Sequence, residues 1–139
     1  MPANTSPIFT LTPEVMWSSQ MNAANTGGIT GGTAYPVFTA GTNGSYVQKI
    51  RFRHQSNNTN NAATVARVFI NNGSDYLTAI NSAIFDEITI AANTASQTAA
   101  STNYELPLNF ALPATYRIFV TLGTGVASGI VATVIGGDY

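Results

Sequence analysis

The sequence predicts an all-β domain, an antiparallel β-sandwich of jelly-roll type, on three observations. Apolar residues alternate with Thr, Asn, Gly and Ala over short runs, the two-residue period of a strand that buries one face. Clusters of Gly, Pro, Asn and Ser separate those runs at turn-like intervals. No stretch of useful length carries the 3.6-residue spacing of an amphipathic helix. Eight or so short strands follow, and 139 residues are enough for one domain that buries roughly two-thirds of its unfolded surface. An immunoglobulin-like sandwich is the alternative. The chain exceeds the roughly 100 residues usual for that fold, which favours the jelly roll.

Residues 1–33 hold Pro2, Pro7 and Pro13 and then a small-residue run with Gly27, Gly28, Gly31 and Gly32. They are expected to form an extended arm ahead of a sandwich domain at 34–139. The arm's apolar patch, Ile8 to Leu11 and then Val15, Met16 and Trp17, suits either a first strand or a segment that docks on a neighbour. From Tyr35 onward strands dominate. Ser45 to His54 places Tyr46, Ile50 and Phe52 on one face and Lys49, Arg51 and Arg53 on the other. Gln55 to Asn61 is a polar loop, and Thr64 to Ile70, apolar on both faces apart from Arg67, reads as a central strand. Asn71-Asn72-Gly73-Ser74 is a turn.

Ile84 to Ile90 is a further strand in which adjacent Asp86 and Glu87 suggest a bulge. Ala91 to Thr102 is a small-residue loop. Tyr104, Leu106, Leu108 and Phe110 then alternate with Glu105, Pro107 and Asn109, and Pro107, lacking a backbone donor, points to a sheet edge. After the turn at Leu112-Pro113-Ala114, Tyr116 to Leu122 and Ile130 to Ile135 complete the strands. The uncharged stretch Ile118 to Gly137 contains a small-xxx-small pattern at Gly125 and Gly129, but its glycines and β-branched residues favour two strands and a turn over a membrane helix.

Composition narrows the function. Only 8% of residues are charged, there is no cysteine, and His54 is the sole imidazole. This excludes disulfides and thiolate metal sites, and it leaves little with which to build a catalytic centre, so no enzyme, cofactor or metal is expected. The charges are unevenly spread. Lys49, Arg51, Arg53 and Arg67 against Glu14 give residues 1–70 a net +3, and Arg117 against Asp75, Asp86, Glu87, Glu105 and Asp138 gives the rest a net −4. Copies could meet positive face to negative face, whereas +3 is thin for nucleic acid. No cation precedes Lys49, so the start of a secretory signal is not apparent and the first residues read as mature protein.

Individual candidates reduce to bland readings. Asp86 and Glu87 point to opposite faces of a strand and cannot flank one bond. Asn71 to Asp75 lacks the spaced carboxylates that calcium needs. Gly123-Thr124-Gly125 is followed by strands, not by the helix a phosphate site requires. The Asn-x-Ser/Thr triplets at Asn4, Asn43, Asn57 and Asn72 are expected by chance in so Asn-rich a chain. One charged constellation remains: Lys49, Arg51 and Arg53, three cations on one strand face. They are to be answered either by the acidic strand around Asp86 and Glu87 or by a partner. With Met16, Trp17 and Met21 of the arm they form the expected protein interface, since buried aromatic residues dominate interface energy.

Tyr46-Val-Gln-Lys-Ile-Arg-Phe-Arg-His54, Ala66-Arg-Val-Phe-Ile-Asn-Asn-Gly73, Tyr104-Glu-Leu-Pro-Leu108, Leu112-Pro-Ala-Thr-Tyr116 and Gly136-Gly-Asp-Tyr139 together resemble small virion structural proteins of tailed bacteriophages. The resemblance covers residues 35–139. It implies a β-sandwich that decorates or cements the outer surface of the capsid as a homotrimer, with the major capsid protein and its own copies as partners. It implies neither nucleic-acid nor membrane binding. Some relatives sit in the tail, so a tail, fibre or baseplate module that binds host carbohydrate is the alternative. The resemblance transfers no site residues.

Overall fold

A computed structural model describes residues 9–139 apart from 28, 31, 56 and 57. Eight strands form: β1 Thr12–Trp17, β2 Tyr35–Thr39, β3 Ser45–His54, β4 Thr64–Asn71, β5 Ser82–Ile90, β6 Tyr104–Leu112, β7 Arg117–Leu122 and β8 Ile130–Asp138, with a 3₁₀ turn at Ala79–Asn81. Sheet 1 has the order β1-β8-β3-β6 and sheet 2 the order β2-β7-β4-β5. All pairs are antiparallel.

The neighbours include 1 with 8, 2 with 7, 3 with 6 and 4 with 5. That is a long antiparallel ribbon with the β4–β5 hairpin at its tip, wound so that its strands fall in two facing sheets, the eight-stranded jelly roll. The immunoglobulin-like alternative is set aside, because it would put the first two strands in one sheet, whereas β1 and β2 lie in opposite sheets.

The core lies between the sheets. Ile50 and Phe52 of β3 and Ala132 and Val134 of β8 meet Phe38 of β2, Ala66 and Val68 of β4, and Ile118, Val120 and Leu122 of β7, all withdrawn from solvent. Each large apolar side chain so buried contributes about 1.5–3 kcal/mol. Pro13, Pro36 and Pro107 all fall on strands with one unpaired edge, β1, β2 and β6, where a missing N–H leaves no gap in a ladder. Asn71 closes β4 by accepting the Gly73 N–H at 2.9 Å, and Gly73 takes the positive φ of 94° that the turn requires. The uncharged stretch from Ile118 is strand β7, a Gly-containing connection and strand β8.

Two expectations need correction. Tyr46 does not share a face with Ile50 and Phe52, because a bulge at Gln48 shifts the β3 register between Val47 and Lys49. Val47 turns in with Ile50, and Tyr46 turns out to Asn109, its hydroxyl 3.3 Å from the Asn109 Oδ1. The second concerns the expected arm. β1 pairs with β8 over six residues, the Ser18 N–H donates to the Ala132 carbonyl, Met21 bridges Ile130, and the Asn25 N–H donates to the Leu122 carbonyl. Residues 12–25 are thus built into the sandwich, because β8 offers them a free edge and the core a slot for Met21. Residues 1–8 of that arm lie outside the described residues.

Met21 is fully buried in the core cluster, so Met21→Ala should destabilise the fold by about 2–5 kcal/mol in chemical denaturation. A side chain that served only as an external anchor would leave stability unchanged.

Candidate functional site

Sheet pairing fixes which way each β1 side chain points. Met16 lies opposite Val134, a core residue, and therefore turns inward against the core. Val15 and Trp17, opposite Ile135 and Thr133, turn to the outer face of sheet 1, 53% and 67% exposed. The chain leading into β1 continues the pattern at alternate positions, with Leu11 84% and Phe9 77% exposed. A strand in a half-buried sheet ordinarily keeps its apolar row inside. Here the row faces water. At the flank of the sandwich Val15, Met16 and Trp17 line a shallow groove with Val37 of β2.

The three cations share this outer face. Trp17, Thr133, Arg51 and Glu105 stand in one cross-strand row, and Val15, Ile135, Lys49 and Pro107 in the next. Two strand spacings, about 10 Å, separate Trp17 from Arg51. Lys49 Nζ sits 3.3 Å from Glu105 Oε2, and Arg51 Nε sits 3.6 Å from Glu105 Oε1 and donates to Asn103 Oδ1 at 2.6 Å. Hydrogen bonds from Asn103 and then Lys49 hold the Glu105 carboxyl below its usual range. Arg53 donates to the carbonyl and hydroxyl of Ser101. The acidic partner expected at Asp86 and Glu87 is thus Glu105 instead. β3 neighbours β6, while β5 lies in the other sheet, where Glu87 pairs with Arg67 at 3.1 Å.

Of the six residues expected at an interface, Trp17, Lys49, Arg51 and Arg53 come together on one face, Met16 is turned inward and Met21 belongs to the core. Phe9, Leu11 and Val15 belonged to the apolar patch read from the sequence but not to the six residues expected at the interface. Their signal was the apolar period of two from 9 to 17, which without a register reads equally as an inward row.

A second apolar surface lies on sheet 2. Pro36, Phe119, Phe69 and Ile84 form one row across all four strands of its outer face. Phe69 stacks on Phe119 with ring centroids 4.8 Å apart, and Tyr76 from the β4–β5 loop meets Phe119 edge-on at 5.1 Å. The Arg117 guanidinium lies over Tyr76 at 4.3 Å. That lid buries the two phenylalanines but leaves Leu77, Ile80 and Ile84 at 38%, 90% and 53% exposure, whereas Phe85 turns to the other side and meets Phe110 of β6 edge-on with ring centroids 4.8 Å apart. β5 bulges at Phe85, one residue before the expected place.

His54 closes one end of the core. Its Nδ1 accepts from Asn61 Nδ2 at 3.1 Å, Asn61 also donates to Ser128 Oγ at 2.6 Å, and the Ser128 N–H donates back to Asn61 Oδ1 at 2.9 Å. The imidazole is thus one part of a buried strap between β3, the following loop and the β7–β8 connection. Burial lowers its pKa, opposed by the backbone at Ala91 and reinforced by Arg53. Among the described residues no three His, Cys, Asp or Glu side chains converge as a metal site would require.

The fold and these surfaces define an eight-stranded jelly-roll domain with apolar patches on the outer faces of both sheets. No family model and no curated protein matches the chain. A chain in the solved structure of infectious bursal disease virus, Gt strain, is similar at a TM-score of 0.32 and 16% identity over 98% of this chain; the match spans 36% of that chain.

Because the folded-state pKa of His54 lies below its unfolded value near 6.5, the unfolded chain takes up a proton that the folded chain refuses. The stability this contributes is complete above about pH 6.5 and falls as pH drops toward the folded pKa. Denaturation midpoints should accordingly be lower at pH 5.5 than at pH 7.5, and His54→Gln should remove most of that difference. An unchanged pH dependence in the variant would contradict the assignment.

Proposed function

We propose that this chain is a non-enzymatic structural protein of a phage virion, one that decorates and cements the outer surface of the head shell through interfaces with its own copies and with the major capsid protein. The observation that carries this reading is the outward apolar row on β1. An alternating apolar row at this exposure is surface that an assembly covers. The resemblance of residues 35–139 to small virion proteins of tailed phages supplies the setting. A jelly roll suits the role, since its two rigid sheets present flat faces in opposite directions. One observation favours a second reading, a tail or fibre module that takes host carbohydrate: the exposed Trp17 ring offers an apolar platform beside polar groups.

Quantitative mass spectrometry and imaging of purified particles separate the two. Decoration predicts a copy number comparable with that of the major shell subunit, at an outer radius. A few copies confined to the tail would overturn it.

A further inference from the structure

Four strands stand at the edges of the two sheets, β1 and β6 in sheet 1 and β2 and β5 in sheet 2, and among the described residues each has a partner strand on one side only. Three of the four are guarded. β6 carries Pro107 near its centre and Asn109 at positive φ, β5 carries Asp86 and Glu87 beside the bulge at Phe85, and the short β2 carries Pro36 and a bulge at Val37. β1 has its proline near the start, at Pro13, and a single charge, Glu14. We propose that the free edge of β1 pairs antiparallel with the same edge of a second copy about a two-fold axis, joining two four-stranded sheets into one continuous sheet. The contact goes beyond the assembly reading above: it names a surface between copies, and it holds in solution whether or not the chain sits on a particle.

The pairing phase of β1 shows which backbone groups are available. The Ser18 N–H donates to the Ala132 carbonyl, in step with the β1–β8 register, so the even-numbered residues of β1 turn their backbone groups to β8. Val15 and Trp17 turn theirs to the open side. Pro13 has the same phase as Val15, so its missing N–H leaves no gap in the ladder with β8. An antiparallel copy centred on Met16 sets Val15 of each chain opposite Trp17 of the other. Their N–H and C=O groups then bond reciprocally across the axis, and Pro13 stays outside the bonded block.

Charge separates this contact from the stacking of like faces. Lys49, Arg51 and Arg53 lie on β3, two strands in from β1, so edge pairing keeps the two β3 strands five strand spacings apart, about 24 Å. That is well beyond the Debye length of about 8 Å at physiological salt. Stacking the outer faces of sheet 1 on one another, about 10 Å apart, would bring both sets of cations into the contact. Centring on Met16 also leaves the two Glu14 residues four positions out of step, about 14 Å apart. Centring on Glu14 would set these like charges directly opposite each other, which is destabilising.

Side chains fit the same register. On the outer face each Trp17 ring lies beside Val15 of the other copy, an aromatic and β-branched pair of the kind that stabilises antiparallel strands. On the inner side the two Met16 side chains meet and, with Val37, close the shallow groove at the flank. At 53% and 67% exposure, Val15 and Trp17 leave on the order of 250 Å² of side chain in water per copy, about 500 Å² for two, before the backbone edge and the groove are counted. The contact thus stands at the low end of specific interfaces, below about 1,200 Å², where transient association is common. Phe9 and Leu11 of both copies remain on the outer face of the joined sheet, open to a further surface.

Sedimentation velocity of the full chain over a concentration series, without particles, tests the contact. The wild type should pass reversibly from monomer to dimer, and raised salt should leave the dimer in place, since no close charges hold it. Val15→Pro removes an edge N–H that the fold itself does not use, and Trp17→Lys puts a charge on the edge; each should weaken dimerisation at least tenfold. The chain has no cysteine, so a single introduced thiol reports the register. Under mild oxidation Met16→Cys should form a disulfide between copies, because Cα atoms in a directly opposed, non-hydrogen-bonded pair lie about 4.5 Å apart. Glu14→Cys, about 14 Å from its counterpart, should not. Circular dichroism melting establishes that each variant is folded. A wild type that stays monomeric, a folded Val15→Pro or Trp17→Lys variant that dimerises as the wild type does, a dimer that salt dissolves, or Glu14→Cys crosslinking as readily as Met16→Cys would each overturn the contact. These failures differ from failure of the decoration reading: few copies in the virion remove decoration and leave the solution dimer intact, whereas a monomeric chain abundant on the shell removes only the contact.

Discussion

The structure depends on the register of β8 between β1 and β3. β8 is paired on both sides, and its glycines fix where it can sit. A Cβ at Gly136 would lie 2.3 Å from the Tyr46 carbonyl oxygen, beside the bulge at Gln48, so the closest approach of β8 to β3 is reserved for a residue without a side chain. With that point fixed, Ala132 and Val134 face the core and Thr133 and Ile135 face out. β1 inherits the same phase. A slip of one residue would turn Val15 and Trp17 into the sandwich and put Met16 in water. The bulge acts in the same way on β3: it lets Val47 and Ile50 both point inward and sends Lys49, Arg51 and Arg53 to the outer face.

The sparse charge gains its meaning from this geometry. A chain with 8% charged residues has little with which to keep copies apart, and most of its surface is Thr, Asn, Ala and Ser. Three of its five cations share the outer face of sheet 1, with Glu105 beside them. Three of the cations and two of the carboxylates are also partly paired within the chain, Lys49 and Arg51 to Glu105 and Arg67 to Glu87, which reduces what must be desolvated on contact. Such exposed pairs add little to stability themselves. Their role is to lower the cost of covering the charged face, while the apolar row supplies the area.

Strands were legible because their signals are local. Thr64 to Ile70 was readable as central from its two apolar faces and Pro107 as an edge residue from its missing donor, and both follow from the chemistry of a single segment. What was not legible depends on partners far along the chain. Tyr46 was placed on the wrong face because a bulge is set by the opposing strand. Lys49 and Arg51 were assigned the wrong carboxylates because sheet order decides whether β5 or β6 lies beside β3. β1 was read as part of an arm because Pro13 and the glycines that follow argue against regular structure, yet an edge position tolerates Pro13, and the partner strand lies more than a hundred residues away. The apolar row from Phe9 to Trp17 was visible as a pattern, but periodicity gives a face without saying which side of the sheet it takes.

The central claim is that the outward row of β1 is covered when the protein does its work. Trp17 is the only tryptophan, so its fluorescence reports on that row alone. Acrylamide quenching should be strong in the dilute isolated chain, and it should fall sharply, with emission moving to shorter wavelength, in the assembled or particle-bound state. Quenching and emission that stay the same in both states would contradict the account.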